Sequence, residues 1–179
     1  MRGAGFECVE RVLMSIGLES AEGGVDVGSA VCGDEDWLGG AEVLHRAFSG
    51  KGESLVYDEF RTLDGAQYTV RQYRSGAYGR VERDWARVSW DGGDMRGIIL
   101  GTGISSEVGF IFQVAVDPGF QRHGVGTTLM GDLLEVYRRA GMDRAMLGVT
   151  LEDGAYRLYR RLGFEDVRLV RVYVLDSCS

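Results

Sequence analysis

The sequence predicts an α/β fold: a mixed, twisted sheet of six or seven strands, antiparallel at its start, with helices on both faces. Two observations carry this. From Trp85 onward, period-two and buried apolar runs alternate with stretches of helical period. The joints between them have turn and cap chemistry in the expected places, with Gly-bearing turns after strand-like runs and single glycines after helical ones.

In chain order, Phe6, Val9, Val12, Leu13 and Ile16 repeat at helical spacing until Gly17 stops the pattern. Residues 1–23 therefore read as a helical N-terminal extension, and residues 24–179 as the main domain. Val25, Val27 and Val31 read as a short strand. Asp34 to Asp36 offers an N-cap for a helix with the apolar stripe Leu38, Ala41, Leu44, His45 and Phe48. The stretch from Glu53 to Asp84 interleaves aromatics with Gly65, Gly76 and Gly79 and reads as a helix followed by a mobile loop. Ala86 to Trp90, the turn Asp91-Gly92-Gly93-Asp94 and Arg96 to Thr102 form a hairpin. Phe110 to Val116 suits a buried central strand, and a helix runs from Val125 to Ala140 with Gly141 beyond it. Ala145 to Val149 is a strand, Glu152 or Asp153 caps a helix ended by Gly163, and Val167 to Leu175 is the last strand.

Bulk properties exclude several classes. A net charge of −7 argues against a nucleic-acid partner, which calls for a basic face. It suits a generic acidic protein or, in a narrower reading, a cationic substrate. No apolar run approaches the roughly 18 residues of a membrane span, and the N-terminus, broken by Glu7 and Glu10, is a poor signal peptide. Cys8, Cys32 and Cys178 are scattered without metal-ligand spacing, so neither a disulfide framework nor a zinc site is expected, and a cytoplasmic setting is.

The informative segment is Val114-Ala115-Val116-Asp117-Pro118-Gly119-Phe120-Gln121-Arg122-His123-Gly124-Val125-Gly126-Thr127. A buried strand turns directly into a helix N-terminus, where Gly124 and Gly126 let an anion approach free amides and Arg122 adds charge. A Walker A site fails, because the only lysine, Lys51, is followed by Gly52. A dinucleotide fingerprint fails because Leu129 stands where a third small residue is required.

Gln121-Arg122-His123-Gly124-Val125-Gly126 resembles the Gln/Arg-x-x-Gly-x-Gly/Ala motif of the GNAT superfamily of N-acetyltransferases. Ala155-Tyr156-Arg157-Leu158-Tyr159-Arg160-Arg161-Leu162-Gly163-Phe164 is similar to that family's Ala-x-x-Leu-Tyr-x-x-x-Gly-Phe block, in the same order and at a matching distance. The resemblance covers about residues 86–175. It implies a mostly antiparallel sheet with one splayed parallel strand pair, here the strands ending at Val116 and running over Ala145 to Val149. It implies acetyl-CoA in that gap, with the edge Val114, Ala115 and Val116 against the pantetheine arm. The amides of Gln121, Arg122, His123, Gly124, Val125, Gly126 and Thr127 would hold the pyrophosphate. Tyr159 takes the place of the acid that protonates the leaving thiolate, against the simpler reading of a packed helix aromatic.

Two departures remain. Glu152 stands where many members have Asn, and helix capping is the simpler account of it. No general base is identifiable: the central strand offers only Gln113, and Glu107 precedes it. The expected activity is acetyl transfer to a primary amine, small-molecule or peptide, without metal. The rival is a catalytically silent acyl-CoA-binding domain. The acceptor groove would draw on the first helices, the aromatic segment (Tyr68, Tyr73, Tyr78, Trp85) and the last strand. A homodimer through the last strand or the N-terminal helix is the expected assembly.

Overall fold

A computed structural model describes residues 6–19, 28–49, 56–151 and 154–175. Its sheet has seven strands in the order β2-β3-β4-β5-β6-β1-β7. These are β1 (Phe6–Gly17), β2 (Ala30–Val31), β3 (Ala86–Asp91), β4 (Asp94–Gly103), β5 (Val108–Val116), β6 (Arg144–Thr150) and β7 (Glu165–Leu175). Four helices among the described residues cover it: α1 (Asp36–Phe48), α2 (Leu63–Arg74), α3 (Val125–Arg139) and α4 (Gly154–Arg161). Every strand pair is antiparallel except β5 with β6.

The largest correction concerns the N-terminus. Phe6–Gly17 is a strand, not a helix, and it is paired with β6 on one side and β7 on the other. Residues 6–17 are thus part of the sheet rather than an extension from it. Val12, Met14, Ile16 and Leu18 point to one core with period two, while Leu13 lies half-buried on the opposite face. A strand with apolar residues in both phases also satisfies a helical template, which is how the spacing misleads.

Two cores lie on opposite faces. α3 and α4 pack Leu129, Leu133, Tyr137 and Tyr159 against Val12, Met14, Ile111, Leu147 and Phe164. α1 and α2 pack Leu44, Phe48, Val70 and Tyr73 against Val88, Ile98, Leu100 and Ala115. In α1 the buried stripe is Ala41, Val43, Leu44, Ala47 and Phe48; Leu38 is 57% exposed, so the predicted stripe was one residue out of phase at its start. His45 is half-buried, and its Nδ1–H donates to the Phe60 carbonyl at 2.9 Å. The α1 cap is Glu35, without a side-chain cap bond, while Asp36 accepts from the Gly33 amide at 2.7 Å.

In the aromatic segment, Asp58–Arg61 is a 3-10 turn and α2 follows it, begun by Thr62, whose hydroxyl accepts from the Gly65 amide. Val25, Val27, Glu53, Glu152 and Cys178 lie outside the described residues. The hairpin β3–β4 turns at Gly92-Gly93 as expected. Gly141 and Gly163 both adopt positive φ, +77° and +93°, at the ends of α3 and α4. β7 is an edge strand on which Val167, Leu169, Val170 and Tyr173 are exposed. No described helix is long and apolar enough to cross a membrane.

Candidate functional site

The parallel ladder of β5 and β6 runs only from Val108↔Arg144 to Ile111↔Leu147. Beyond it the strands separate, although β5 continues to Val116 and β6 to Thr150. The cause is a bulge. On the other side of β5, Leu100 faces Gln113 and Gly101 faces Ile111, so Phe112 is an extra residue. Ile111 and Val114 consequently belong to the same core although three residues apart, while Phe112 and Ala115 belong to the other. A bulge bends its strand and increases local twist, which carries β5 away from β6 at this point.

The opening forms a chamber of about 70 Å³ lined by Phe48, Tyr57, Phe112, Gln113, Gly148 and Tyr159, among others. A larger cleft of about 670 Å³ continues from it between the β5 edge and α4, with Phe48, Val114, Ala155 and Tyr159 common to both. The cleft is lined by Val114, Ala115, Val116, Gln121, Arg122, Gly124, Val125, Gly126 and Thr127, and from α4 by Arg157, Leu158, Tyr159 and Arg161. The strand edge, the glycine turn and Tyr159, read separately from the sequence, are therefore brought to one cleft. Of the predicted turn residues, only His123 is absent from that lining. It is exposed, and its Nδ1–H donates to the Gln121 carbonyl at 2.8 Å, which braces the turn.

The turn is built by its backbone. Asp117 closes the strand: its amide donates to the Arg96 carbonyl and its Oδ1 accepts from the Gly119 amide. Its Oδ2 pairs with Arg46 of α1 at 2.6 Å. Arg122 then takes φ +66° and Gly124 φ +80°. Left-handed residues alternating with ordinary ones turn successive amides to one side, the concave arrangement that binds anions. Gly124 is the N-cap of α3 and supplies no side-chain cap, so the amides of that first turn lack the partner a Ser or Asp would give them.

Charge agrees with this geometry. Arg122 on one wall and Arg157 and Arg161 on the other give the cleft three cations, with no carboxylate among its described lining residues. The whole chain carries −7, so this local excess is not compositional. Sequence reading missed Arg157 and Arg161; their i, i+4 spacing on a helix that also carries Tyr159 was the available signal.

Tyr159 is 7% exposed, its ring 5.9 Å from Phe164. It is at once packed in the core and part of both cavity walls, so the two readings of it are not exclusive. Gln113 is buried and faces the chamber, whereas Glu107 is an exposed loop residue before β5.

The acceptor-side expectations need correction. Trp85 is 1% exposed and packs edge-on against Tyr137 in the α3 core, away from the chamber. Tyr73 is fully buried, and its hydroxyl donates to the Gly101 carbonyl at 2.7 Å; burial pushes its pKa well up. Tyr78 remains accessible and stacks on Phe112 at 4.4 Å; burial first, and then the charge of Glu59, raises its pKa. Tyr68 is exposed. The last strand, β7, is separated from the gap by β6 and β1, and of β1 it is the Arg11 side chain that reaches residues of the chamber wall.

The sequence matches the acetyltransferase (GNAT) family over residues 54–164, more than half of the chain. This chain belongs to that family. Among solved structures, a GCN5-related N-acetyltransferase from Sphaerobacter thermophilus superposes with a TM-score of 0.67 at 22% identity, over 96% of this chain and 52% of the other. A GNAT-family acetyltransferase from Novosphingobium aromaticivorans gives 0.66 at 16%, over 99% and 69%. The ribosomal-protein-S18-alanine N-acetyltransferase from Escherichia coli gives 0.61 at 17%, over 84% and 94%. At these identities the likeness is one of fold, and the chain spans about half the length of the Sphaerobacter protein. No curated protein matches the sequence.

Proposed function

We propose that this chain transfers an acetyl group from acetyl-CoA to a primary amine. The observation that carries the reading is the parting of β5 from β6 beyond Ile111 and Leu147, with an arginine-flanked amide turn at the far end of the same cleft. Such a gap accepts an extended, polar arm between strand edges, and the turn accepts a pyrophosphate. The residues fit this donor. Val114, Ala115 and Val116 offer backbone groups to the arm. The amides from Gln121 to Thr127 take the pyrophosphate, and Arg122, Arg157 and Arg161 supply the neutralising charge.

The chemistry then falls in the chamber at the bulge. A neutral amine nitrogen bonds to the thioester carbonyl carbon, and the oxygen that gains charge is stabilised by a backbone N–H of the bulged strand. As the C–S bond breaks, Tyr159 gives its proton to the leaving sulfur, and the proton lost by the nitrogen passes to water, from which the phenol regains its own. A phenol near ~10 and a thiol near ~8.5 are suitably matched for that transfer.

The test is free-thiol release from acetyl-CoA, followed with and without a panel of amino acids, polyamines, aminoglycosides and peptides. Acceptor-dependent release supports the reading. Tight acetyl-CoA binding with no release on any amine would overturn it in favour of a silent binding domain.

A further inference from the structure

Arg11, in the strand the sequence did not reveal, stands beside the chamber. It pairs with Thr150 in the β1–β6 ladder. The phase of that ladder is set by the bond from the Leu151 amide to the Glu10 carbonyl, so Gly148, opposite Leu13, turns its amide and carbonyl away from β1. They point towards β5, into the interval where β5 has already left. The Arg11 guanidinium reaches this place: its Nη2 donates to the Gly148 carbonyl at 3.0 Å and to the Tyr57 hydroxyl. Its central carbon lies 4.8 Å from the Tyr57 ring centroid. Both partners line the chamber.

Neither partner is an anion, and among the described residues Arg11 makes no ion pair. Both described bonds leave from one terminal nitrogen, and Nε and Nη1 hold three further N–H donors. A guanidinium is always charged, and a half-buried one held only by a carbonyl and a phenol calls for a carboxylate in the fork. The chamber's walls include the aromatic rings of Phe48, Tyr57 and Phe112, with Tyr78 stacked on Phe112, beside the aliphatic Ile111, Val114, Leu147 and Val149 and the polar Gln113 and Thr150.

We propose that Arg11 recognises the acceptor's carboxylate, and that the acceptor is an α-amino acid with an apolar or aromatic side chain. The amine enters the gap, the carboxylate meets Arg11 and the side chain rests against the chamber's aromatic rings. This rests on the acetyl-transfer reading and narrows its acceptor from any primary amine to one carrying an anion beside the nitrogen.

The experiment compares phenylalanine, phenylalaninol and phenethylamine as acceptors for the wild type, Arg11→Lys and Arg11→Gln, by thiol release. Thermal unfolding and acetyl-CoA calorimetry of each variant serve as controls. The wild type should favour phenylalanine over both others by roughly 10- to 100-fold in kcat/KM, as one charged hydrogen-bonded contact provides. Arg11→Gln should remove that preference mainly through KM and leave phenethylamine turnover and donor affinity as they were; Arg11→Lys should restore part of it. Equal use of the three amines by the wild type overturns the inference while leaving acetyl transfer intact. So does an equal loss on all three in Arg11→Gln, which marks Arg11 as merely structural. No turnover of any amine across the broad panel overturns acetyl transfer itself, and this inference with it.

Discussion

Ile111 of β5 and Leu147 of β6 form the last rung of the parallel ladder, and Phe112, the extra residue of the bulge, follows immediately. The gap thus opens where one strand carries one residue too many. Its walls are held open from both faces, by Phe48 of α1 on one side and Tyr159 of α4 on the other. Such preorganisation means that little reordering is needed when the cleft is filled.

Tyr159→Phe should lower kcat by about 10²-fold or more, the usual worth of a positioned acid. Acetyl-CoA affinity should be unchanged, because the ring that packs on Phe164 is retained. Steady-state kinetics and calorimetry on the same preparation check this. An equal loss in turnover and affinity would contradict the acid role.

At the amide turn, two glycines should behave differently. A Cβ on Gly126 would meet Val116 at an ordinary 3.5 Å, so Gly126→Val should fold normally yet cover the amides and abolish acetyl-CoA binding. Gly124 has open space around it but φ +80°, where a side chain costs about 1–2 kcal/mol, so Gly124→Ala should lower the unfolding midpoint as well. Binding that survives Gly126→Val would remove the pyrophosphate assignment.

What the sequence disclosed follows from how local each signal is. The β3–β4 hairpin, β5, α3, β6 and α4 are written in contiguous periodicity with glycines at their ends, and the phosphate-type turn is a short continuous segment. The Phe112 bulge was not legible, since it is a mismatch of register between β4 and β5. β1 was misread because Phe6, Val9, Val12 and Leu13 fit a helical template as well as a two-sided strand, and its partners lie far along the chain. Arg11 was invisible for the same reason: its role depends on where β1 is inserted.

Tyr137 pins α3 behind the gap. Its hydroxyl shares its one proton between the Thr102 and Phe110 carbonyls, at 2.9 and 3.0 Å, and burial raises its pKa. Its ring fills the space over Gly109, where a Cβ would lie 2.5 Å from it. Gly109→Ala should therefore destabilise the fold by about 1–3 kcal/mol through overpacking. A urea midpoint equal to that of the wild type would contradict this packing.

Glu135 of α3 gives a pH prediction. Hydrogen bonds from Arg138, then Arg139, each at 2.7 Å, hold its carboxyl down at about 2. A depressed pKa stabilises the fold fully above the unfolded value of ~4.3, and that stabilisation is lost as pH falls through the folded value. Urea midpoints should fall between pH 5 and pH 2 more steeply for the wild type than for Glu135→Gln. Parallel curves would show that these hydrogen bonds do not survive in solution.

The most direct measurement is amide hydrogen exchange with and without acetyl-CoA. Bound donor should slow exchange in peptides covering Val114 to Val116 and Arg122 to Thr127, while the Asp91 to Asp94 hairpin turn stays unchanged. Protection confined to other segments, or none at saturating acetyl-CoA, would contradict the assignment of the β5–β6 gap as the donor site.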